Sequence, residues 1–588
     1  MDFYDKFLPK VLVTENISSD GLNLLSSAFA VDECLDLTPE QLVEILPAYQ
    51  ALVIRSKTKV TSDVLRAGRL LRVVARAGVG VDNVDVDEAT KLGVVVVNSP
   101  SGNTGAAAEH TIALMMSLAR KVPQGCASLK NGNWGRNELV GVEVKGKTLA
   151  IIGLGKVGMT VARLANGLGM AVDAFDPHIS PFVAASASVN LILTLPVLLA
   201  SADFVTIHTP LIASTRGIIS TAELALMKPG SRILNVARGG IVDEAALLAA
   251  LESGHLAGAA VDVFTSEPPA ADSTAERLIA HPNAVVTPHL GASTIEAQEN
   301  VSRDVCEQVM QVLKDDLPRS AVNTPLILPG EYRKLQPFVP LVEKLGSLYT
   351  QYCANMPLGG SLNRSKFDLI YKGEITSVSN TKPLFAALIR GLISPIVSNG
   401  GANINMLNAE FIARERGIFV SERHCRDPED RSAYSSLVTL IAHPPPNGSL
   451  QAIDAISPEP ESQRVVSGTC SDGRPLITRI GNFDVSFKPE GTLLICENYD
   501  SPGKIGAVCR ILDQQGVKIH FMTVAPGPPD LMTGIEQNTS SNDGTMEVPF
   551  EKRSEALMII GVDRDVPYRA TAELVIQGAA LSACAITF

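Results

Sequence analysis

The chain of 588 residues holds a single tryptophan, and aromatic residues make up only 5% of it. Basic residues do not dominate either: Lys and Arg number 50 against 62 Asp and Glu, for a formal net charge of −12. Without a basic stripe and interleaved aromatics, a nucleic-acid partner is not expected. Nine cysteines, an odd number with no Cys-x-x-Cys pair, suit neither a disulfide framework nor a zinc site. No metal is therefore expected, and a reducing compartment is. No apolar run is long enough to span a membrane. The opening Met1-Asp2-Phe3-Tyr4-Asp5-Lys6 has neither the apolar core of a signal peptide nor the arginine- and serine-rich character of a transit peptide. Cys584 stands one position too early for prenylation. A soluble, cytoplasmic chain with no membrane partner is the expectation. Hydrophobic residues at 46% and charged ones at 19% make it globular, and its length implies roughly three to five domains.

One stretch is specific. An apolar run ending at Ile152 feeds Gly153-Leu154-Gly155-Lys156-Val157-Gly158, a helical segment over 159–168 follows, and 170–176 reads as a second strand ending in Asp176. Gly153 would make a tight turn. Gly155, followed by Lys156 and Val157, would let the backbone approach a pyrophosphate, and Gly158 would let helix and strand pack closely. The helix N-terminus would face the phosphate charge. Asp176 would accept hydrogen bonds from ribose hydroxyls and repel a 2′-phosphate, which favours NAD over NADP. The bland alternative is a glycine-rich turn without a ligand.

Continuous β-branched runs at 10–14, 51–55, 71–76 and 94–98 precede this unit, and strands at 202–208, 232–237, 259–264 and 284–287 continue it. Alternation with helical segments predicts two doubly wound parallel sheets covered on both faces. An apolar helix from Ala106 to Ala119 bridges them. Ligands in such sheets sit outside the carboxyl ends of the strands. Three strand ends carry suitable chemistry: Arg238 before Gly239-Gly240, Glu267 before Pro268, and His289 after Pro288. Oxidising an alcohol needs a base for the hydroxyl proton, and histidine suits neutral pH. A carboxylate fixes its tautomer, and an arginine can hold a substrate carboxylate in a fork. His208, at another strand end, is ranked as cofactor lining, and His110 as a satisfied core residue. A long helix over 294–317 leads to a polar boundary near 323–325. Beyond Pro329 short strands alternate with loops at 427–430 and 443–448, and a polar insertion at 525–553 is expected to be mobile.

The blocks 51–56, Arg76-Ala77-Gly78-Val79-Gly80-Val81-Asp82-Asn83-Val84-Asp85, 153–158, 235–244, 260–264 and 287–294 resemble the D-isomer-specific 2-hydroxyacid dehydrogenases, and among them the long-form, plant-type phosphoglycerate dehydrogenases. The resemblance implies a discontinuous substrate domain (1–102 with 295–325), a Rossmann-type NAD domain (103–294), an α+β intervening domain (326–488) and a C-terminal ACT-like domain (489–588). It implies Arg238 for the substrate carboxylate, His289 as acid/base and Glu267 as its partner. The NAD site would add His208, Thr209, Ala237, Asp262, Gly291 and Ala292 to the glycine turn and Asp176. Arg55, Ser56, Arg76, Val79 and Asn103 would line the substrate pocket, with Arg136 reaching over from a partner subunit. The amides of the 78–80 turn offer an anion site. A serine effector would sit near Asn498, Asp500 and Lys518, although Lys518 replaces the usual asparagine, and residues 399–403 look like extra loop. The implied reaction is NAD-dependent oxidation of 3-phospho-D-glycerate to 3-phosphohydroxypyruvate, the entry to serine synthesis, by a homodimer or homotetramer. Rival readings are a hydroxypyruvate or glyoxylate reductase, a nucleotide-sensing interaction protein, and an amino-acid-binding regulatory protein. The plant-type likeness makes the plastid stroma the alternative compartment.

Overall fold

Short runs of valine, isoleucine and alanine build two parallel sheets in the first part of the chain. The structure, a computed structural model, describes residues 8–353, 365–397, 403–426, 434–443, 465–527 and 555–588. The loops expected at 399–402, 427–430 and 444–448, and residues 528–553 of the insertion, lie outside the described residues. The chain forms two compact units: residues 8–89 with Val94–Val322, and Asn323–Phe588 with Thr90–Gly93.

In the first unit, β1 (Lys10–Val13), β2 (Ala30–Glu33), β3 (Ala51–Ile54), β4 (Val73–Arg76) and β5 (Val95–Asn98) form one sheet in the order β2-β1-β3-β4-β5, every pair parallel. β2 carries no strand signal in the sequence. Ala30-Val31-Asp32-Glu33 is an edge strand with no fully buried residue, so it lacks the apolar run that marks the others. The Ile295–Leu313 helix returns to this sheet, and Val301, Val305 and Val309 share a core with Val11, Val53 and Val73. It stops short of the expected Leu317 because Asp315 turns left-handed at φ 61°.

The second sheet comprises β6 (Thr148–Ile152), β7 (Ala171–Phe175), β8 (Asn190–Leu191), β9 (Phe204–Ile207), β10 (Arg232–Asn235), β11 (Gly258–Val261) and β12 (Ala284–Val286), in the order β12-β11-β10-β9-β6-β7-β8. Its central strands β9 and β11 are buried along their whole length, which is why they read as unbroken apolar runs rather than alternating ones. The chain order reverses between β6 and β9, the switch point at which such sheets bind ligands. The Thr104–Arg120 helix buries Leu114, Met115 and Leu118 against this core.

In the second unit, β13 (Lys366–Gly373), β14 (Phe419–Cys425), β15 (Ser436–His443), β16 (Val465–Ser471), β17 (Arg474–Ile480) and β18 (Phe483–Phe487) make a mixed sheet in which only β13 and β14 run parallel. Along β15 buried and half-buried residues alternate, the period-two pattern of a sheet with one covered face. Then β19 (Thr492–Tyr499), β20 (Ile519–Pro526), β21 (Glu555–Val562) and β22 (Ser582–Thr587) form an antiparallel sheet, β20-β21-β19-β22, with the Lys504–Gln514 and Tyr568–Ile576 helices. This agrees with the expected class: two parallel α/β sheets, then α+β and ACT-like folds. Among the described residues no helix is long and apolar enough to cross a membrane.

Candidate active site

The glycine turn is built as a ligand cradle. Gly153 follows β6 with φ 92°, and a Cβ there would meet the His208 carbonyl oxygen and Thr209 Cγ2 at 2.7 Å. A Cβ on Gly158 would collide with the Gly153 carbonyl, so a bare α-carbon is what lets the Lys156–Gly167 helix approach β6. The helix begins at Lys156 rather than near Met159 because Gly155 already serves as its N-cap. Gly155 itself faces open space, with nothing within 4 Å of an added Cβ. Val157 is half-buried beside it, and the Lys156 ammonium bonds the Ser101 hydroxyl. Thr209 Oγ1 is buried without a hydrogen-bond partner. Asp176 closes β7 with both oxygens fixed, Oδ2 accepting from the Leu154 amide at 2.8 Å and Oδ1 from the His178 amide at 2.8 Å. An open glycine, an orphaned hydroxyl and a fixed acid at the switch point fit an adenine dinucleotide.

His208, half-buried, follows β9 behind this turn. Burial pushes its imidazole down to about 4, and Nε2 lies 3.1 Å from Thr206 Oγ1. It is therefore neutral at physiological pH.

Three predicted catalytic side chains stand at the ends of β10, β11 and β12. His289 Nδ1 is 2.7 Å from Glu267 Oε2, while Glu267 Oε1 accepts from the Phe264 amide at 3.0 Å. Burial works to raise the Glu267 carboxyl, but the bonds from His289 and Phe264 outweigh it and hold it below the ordinary carboxylate range. With Nδ1 engaged, Nε2 is the ring nitrogen left for a substrate. His289 has φ 55°, a left-handed conformation that costs a non-glycine residue about 1–3 kcal/mol. Asp262 sustains it. Its backbone carbonyl accepts from the His289 amide at 2.8 Å, Oδ1 from the Leu290 amide at 2.7 Å and Oδ2 from the Gly291 amide at 2.9 Å. Thr287 Oγ1 donates to Oδ1 at 2.5 Å, and His110 Nε2 lies 3.2 Å from the same oxygen. Burial raises the Asp262 carboxyl and these donors lower it, with the net effect downward. Asp262, expected beside the cofactor, is thus fully buried and holds the turn of His289, Leu290 and Gly291, with half-buried Ala292 next. His110 is satisfied, as expected, but by this carboxylate and Thr287 rather than by apolar packing.

Arg238 Nη1 donates to the Ala237 carbonyl at 2.7 Å, and Nε donates to Asp82 Oδ2 at 3.1 Å. Asp82 lies in the turn after β4, so the arginine reaches from one sheet to the loops of the other. A Cβ on Gly80 would strike the Arg238 guanidinium, and one on Gly78 would strike that of Arg76. Arg76 is pushed down to about 10, first by burial, then by the Arg238 charge, with Asp82 and Glu15 pulling it back up and Arg55 lowering it further. It stays protonated at neutral pH. Arg55, Arg76 and Arg238 are therefore brought together at one end of the unit. Arg76 Nε and Asn103 Oδ1 are buried without hydrogen-bond partners. Ser56 is exposed next to Arg55, and the Val79 carbonyl accepts from Asn98 Nδ2 at 2.5 Å. Arg136 is exposed after the Val122–Lys130 helix. In the second unit Asn498 is buried, its amide oriented to donate to the Ala579 carbonyl at 2.6 Å, whereas Asp500 and Lys518 are exposed. The three are not equally available to an effector.

Asp82, Glu15 and Asn83 were not among the expected site residues. Glu15 stands two residues beyond β1, where a polar residue after a strand is a candidate just as Arg55 after β3 is, and that position is the signal that could have found it.

Comparison with known proteins adds the family. Residues 112–291 match the D-isomer specific 2-hydroxyacid dehydrogenase NAD binding domain, and residues 334–447 the D-3-phosphoglycerate dehydrogenase intervening domain. The chain is 42% identical over 538 residues to D-3-phosphoglycerate dehydrogenase 3, chloroplastic, of Arabidopsis thaliana, covering 90% of this chain and 89% of that one. It is 37% identical over 578 residues to D-3-phosphoglycerate dehydrogenase of Bacillus subtilis, covering 96% and 97%. A glyoxylate reductase structure from Paecilomyes thermophila superposes with TM-score 0.50 at 28% identity, over 54% of this chain and 98% of that one. The chain belongs to the D-isomer-specific 2-hydroxyacid dehydrogenase family, as one of the long D-3-phosphoglycerate dehydrogenases that carry an intervening domain.

Proposed function

We propose that this chain oxidises 3-phospho-D-glycerate to 3-phosphohydroxypyruvate with NAD, the first step of phosphorylated serine synthesis, using His289, Glu267 and Arg238. The observation that carries the roles is the 2.7 Å contact between His289 Nδ1 and Glu267 Oε2 in a unit that also presents Arg238 and the open glycine turn. His289 Nε2 takes the proton of the C2 hydroxyl. Glu267, kept ionised, stabilises the imidazolium that forms and returns the ring to the same tautomer. Arg238, oriented by Asp82 and the Ala237 carbonyl, grips the substrate carboxylate. Arg55 and Arg76 meet the phosphate, and Arg136 of a second copy completes the pocket. When bound, NAD would accept the hydride from C2; Gly153, Gly155, Gly158 and Asp176 would hold it, and Asp176 would select it against NADP.

The oligomer is a homodimer or homotetramer, and Asp500 and Lys518 contribute to a serine site in the last domain. We place the chain in the cytoplasm, with the plastid stroma as the alternative that its likeness to the chloroplastic Arabidopsis thaliana enzyme supports. Initial rates with 3-phosphoglycerate and NAD, with and without serine, test the reading. Turnover with NAD well above that with NADP is expected, and failure to oxidise 3-phosphoglycerate would overturn it.

A further inference from the structure

A carboxylate outside the proposed chemistry lies beside the arginines that meet the phosphate. Glu15 follows β1 and Arg55 follows β3, and between β1 and β3 the order of the first sheet reverses. Glu15 Oε1 accepts from the amides of Arg55 and Thr58, both at 2.9 Å, and Oε2 accepts from the Lys57 amide at 3.1 Å. From the other side, Asn83 Nδ2 donates to the carbonyls of Arg55 at 2.9 Å and Thr58 at 2.7 Å. One carboxylate thus takes the donors of the turn at 55–58 and one amide takes its acceptors. The Thr14 and Thr58 hydroxyls, 2.9 Å apart, tie it again.

Burial raises the Glu15 carboxyl, but the three amides and the Thr58 hydroxyl lower it further, so it is an anion at neutral pH. An anion next to a phosphate site weakens the attraction the arginines provide. What it supplies in exchange is geometric. It fixes the backbone from which Arg55 projects and partly offsets the cost that burial and the repulsion of neighbouring arginines impose on the Arg76 charge. We propose that Glu15, together with Asn83, is a positioning residue for phosphate recognition, presetting the turn at 55–58 so that Arg55 meets the substrate phosphate without reordering. This deepens the phosphate reading given above and rests on it.

Glu15→Ala, Glu15→Gln and Arg55→Ala would be assayed with 3-phosphoglycerate and with unphosphorylated D-glycerate, alongside NADH titration. Glu15→Ala should raise KM for 3-phosphoglycerate about tenfold with kcat within about twofold, the signature of lost pre-organised binding. D-glycerate kinetics and NADH affinity should hardly move. Glu15→Gln keeps an acceptor for the Arg55 and Thr58 amides and should recover most of the loss. If Glu15→Ala does not fold, Asn83→Ala, which frees the same turn from its other side, is measured instead and should show the same KM pattern. An unchanged KM, or an equal loss on both substrates, overturns the positioning role even if Arg55→Ala proves phosphate-selective. If Arg55→Ala harms both substrates alike, the phosphate reading falls and the positioning role with it.

Discussion

His289 and Glu267 meet at 2.7 Å although they follow different strands, and the histidine does so from a left-handed backbone at φ 55°. The contact engages Nδ1 and frees Nε2. His289→Asn should lower kcat by about 100-fold or more while NADH binding is unchanged. Glu267→Gln should lower kcat less and leave the ring in place. Stopped-flow turnover beside NADH fluorescence titration checks both, and near-normal turnover of His289→Asn would sink the acid/base assignment.

Arg238 Nε donates to Asp82 at 3.1 Å and Nη1 to the Ala237 carbonyl at 2.7 Å, two anchors that orient the guanidinium proposed to hold the substrate carboxylate. Asp82→Ala should raise KM for 3-phosphoglycerate and for D-glycerate together, because both carry the carboxylate. Several-fold is expected for an exposed charge-assisted bond. Steady-state kinetics on the two substrates distinguishes this from the phosphate-selective loss expected at Arg55.

Gly155 and Gly158 should respond differently to alanine. A Cβ on Gly155 enters open space, so Gly155→Ala should fold normally and lose NADH affinity by crowding the pyrophosphate. A Cβ on Gly158 collides with the Gly153 carbonyl, so Gly158→Ala should lower the unfolding midpoint as well. Thermal melts without nucleotide, paired with NADH titration, separate the two outcomes.

His208 should make the nucleotide-free chain acid-sensitive. Its folded pKa, depressed by burial to about 4 from 6.5, means that the unfolded chain takes up a proton first as pH falls. Stability is fully present above pH 6.5 and declines toward pH 4, by at most on the order of 3 kcal/mol. Asp262 and Glu267, held below ordinary values of 3.8 and 4.5, begin to lose their contributions only as pH falls through those values. Urea unfolding between pH 7 and 5 should therefore show a slope that His208→Gln flattens. An unaltered slope in the variant would assign the sensitivity to another group.

The glycine turn, Asp176 and the residues after β10, β11 and β12 were legible because each belongs to a local pattern: a run of buried β-branched residues, then a turn that must be polar or bare. The edge strand β2 was not, since half-exposed Ala30-Val31-Asp32-Glu33 has no such run. Nor were the true ends of the Lys156–Gly167 and Ile295–Leu313 helices, where caps rather than composition decide.

By itself the sequence determined the alternation of strands and helices, the glycine cradle, and which side chains could do acid–base and anion-binding chemistry. These depend on spacing along one segment. Only the tertiary structure decided that Asp82 meets Arg238 across 156 positions, that Asp262 holds the His289 turn, and that Glu15 and Asn83 grip the turn at 55–58. Parallel strands bring their carboxyl ends together whatever their order in the chain. Which charge then faces which backbone amide is set by sheet order and loop packing, and no local pattern carries that information.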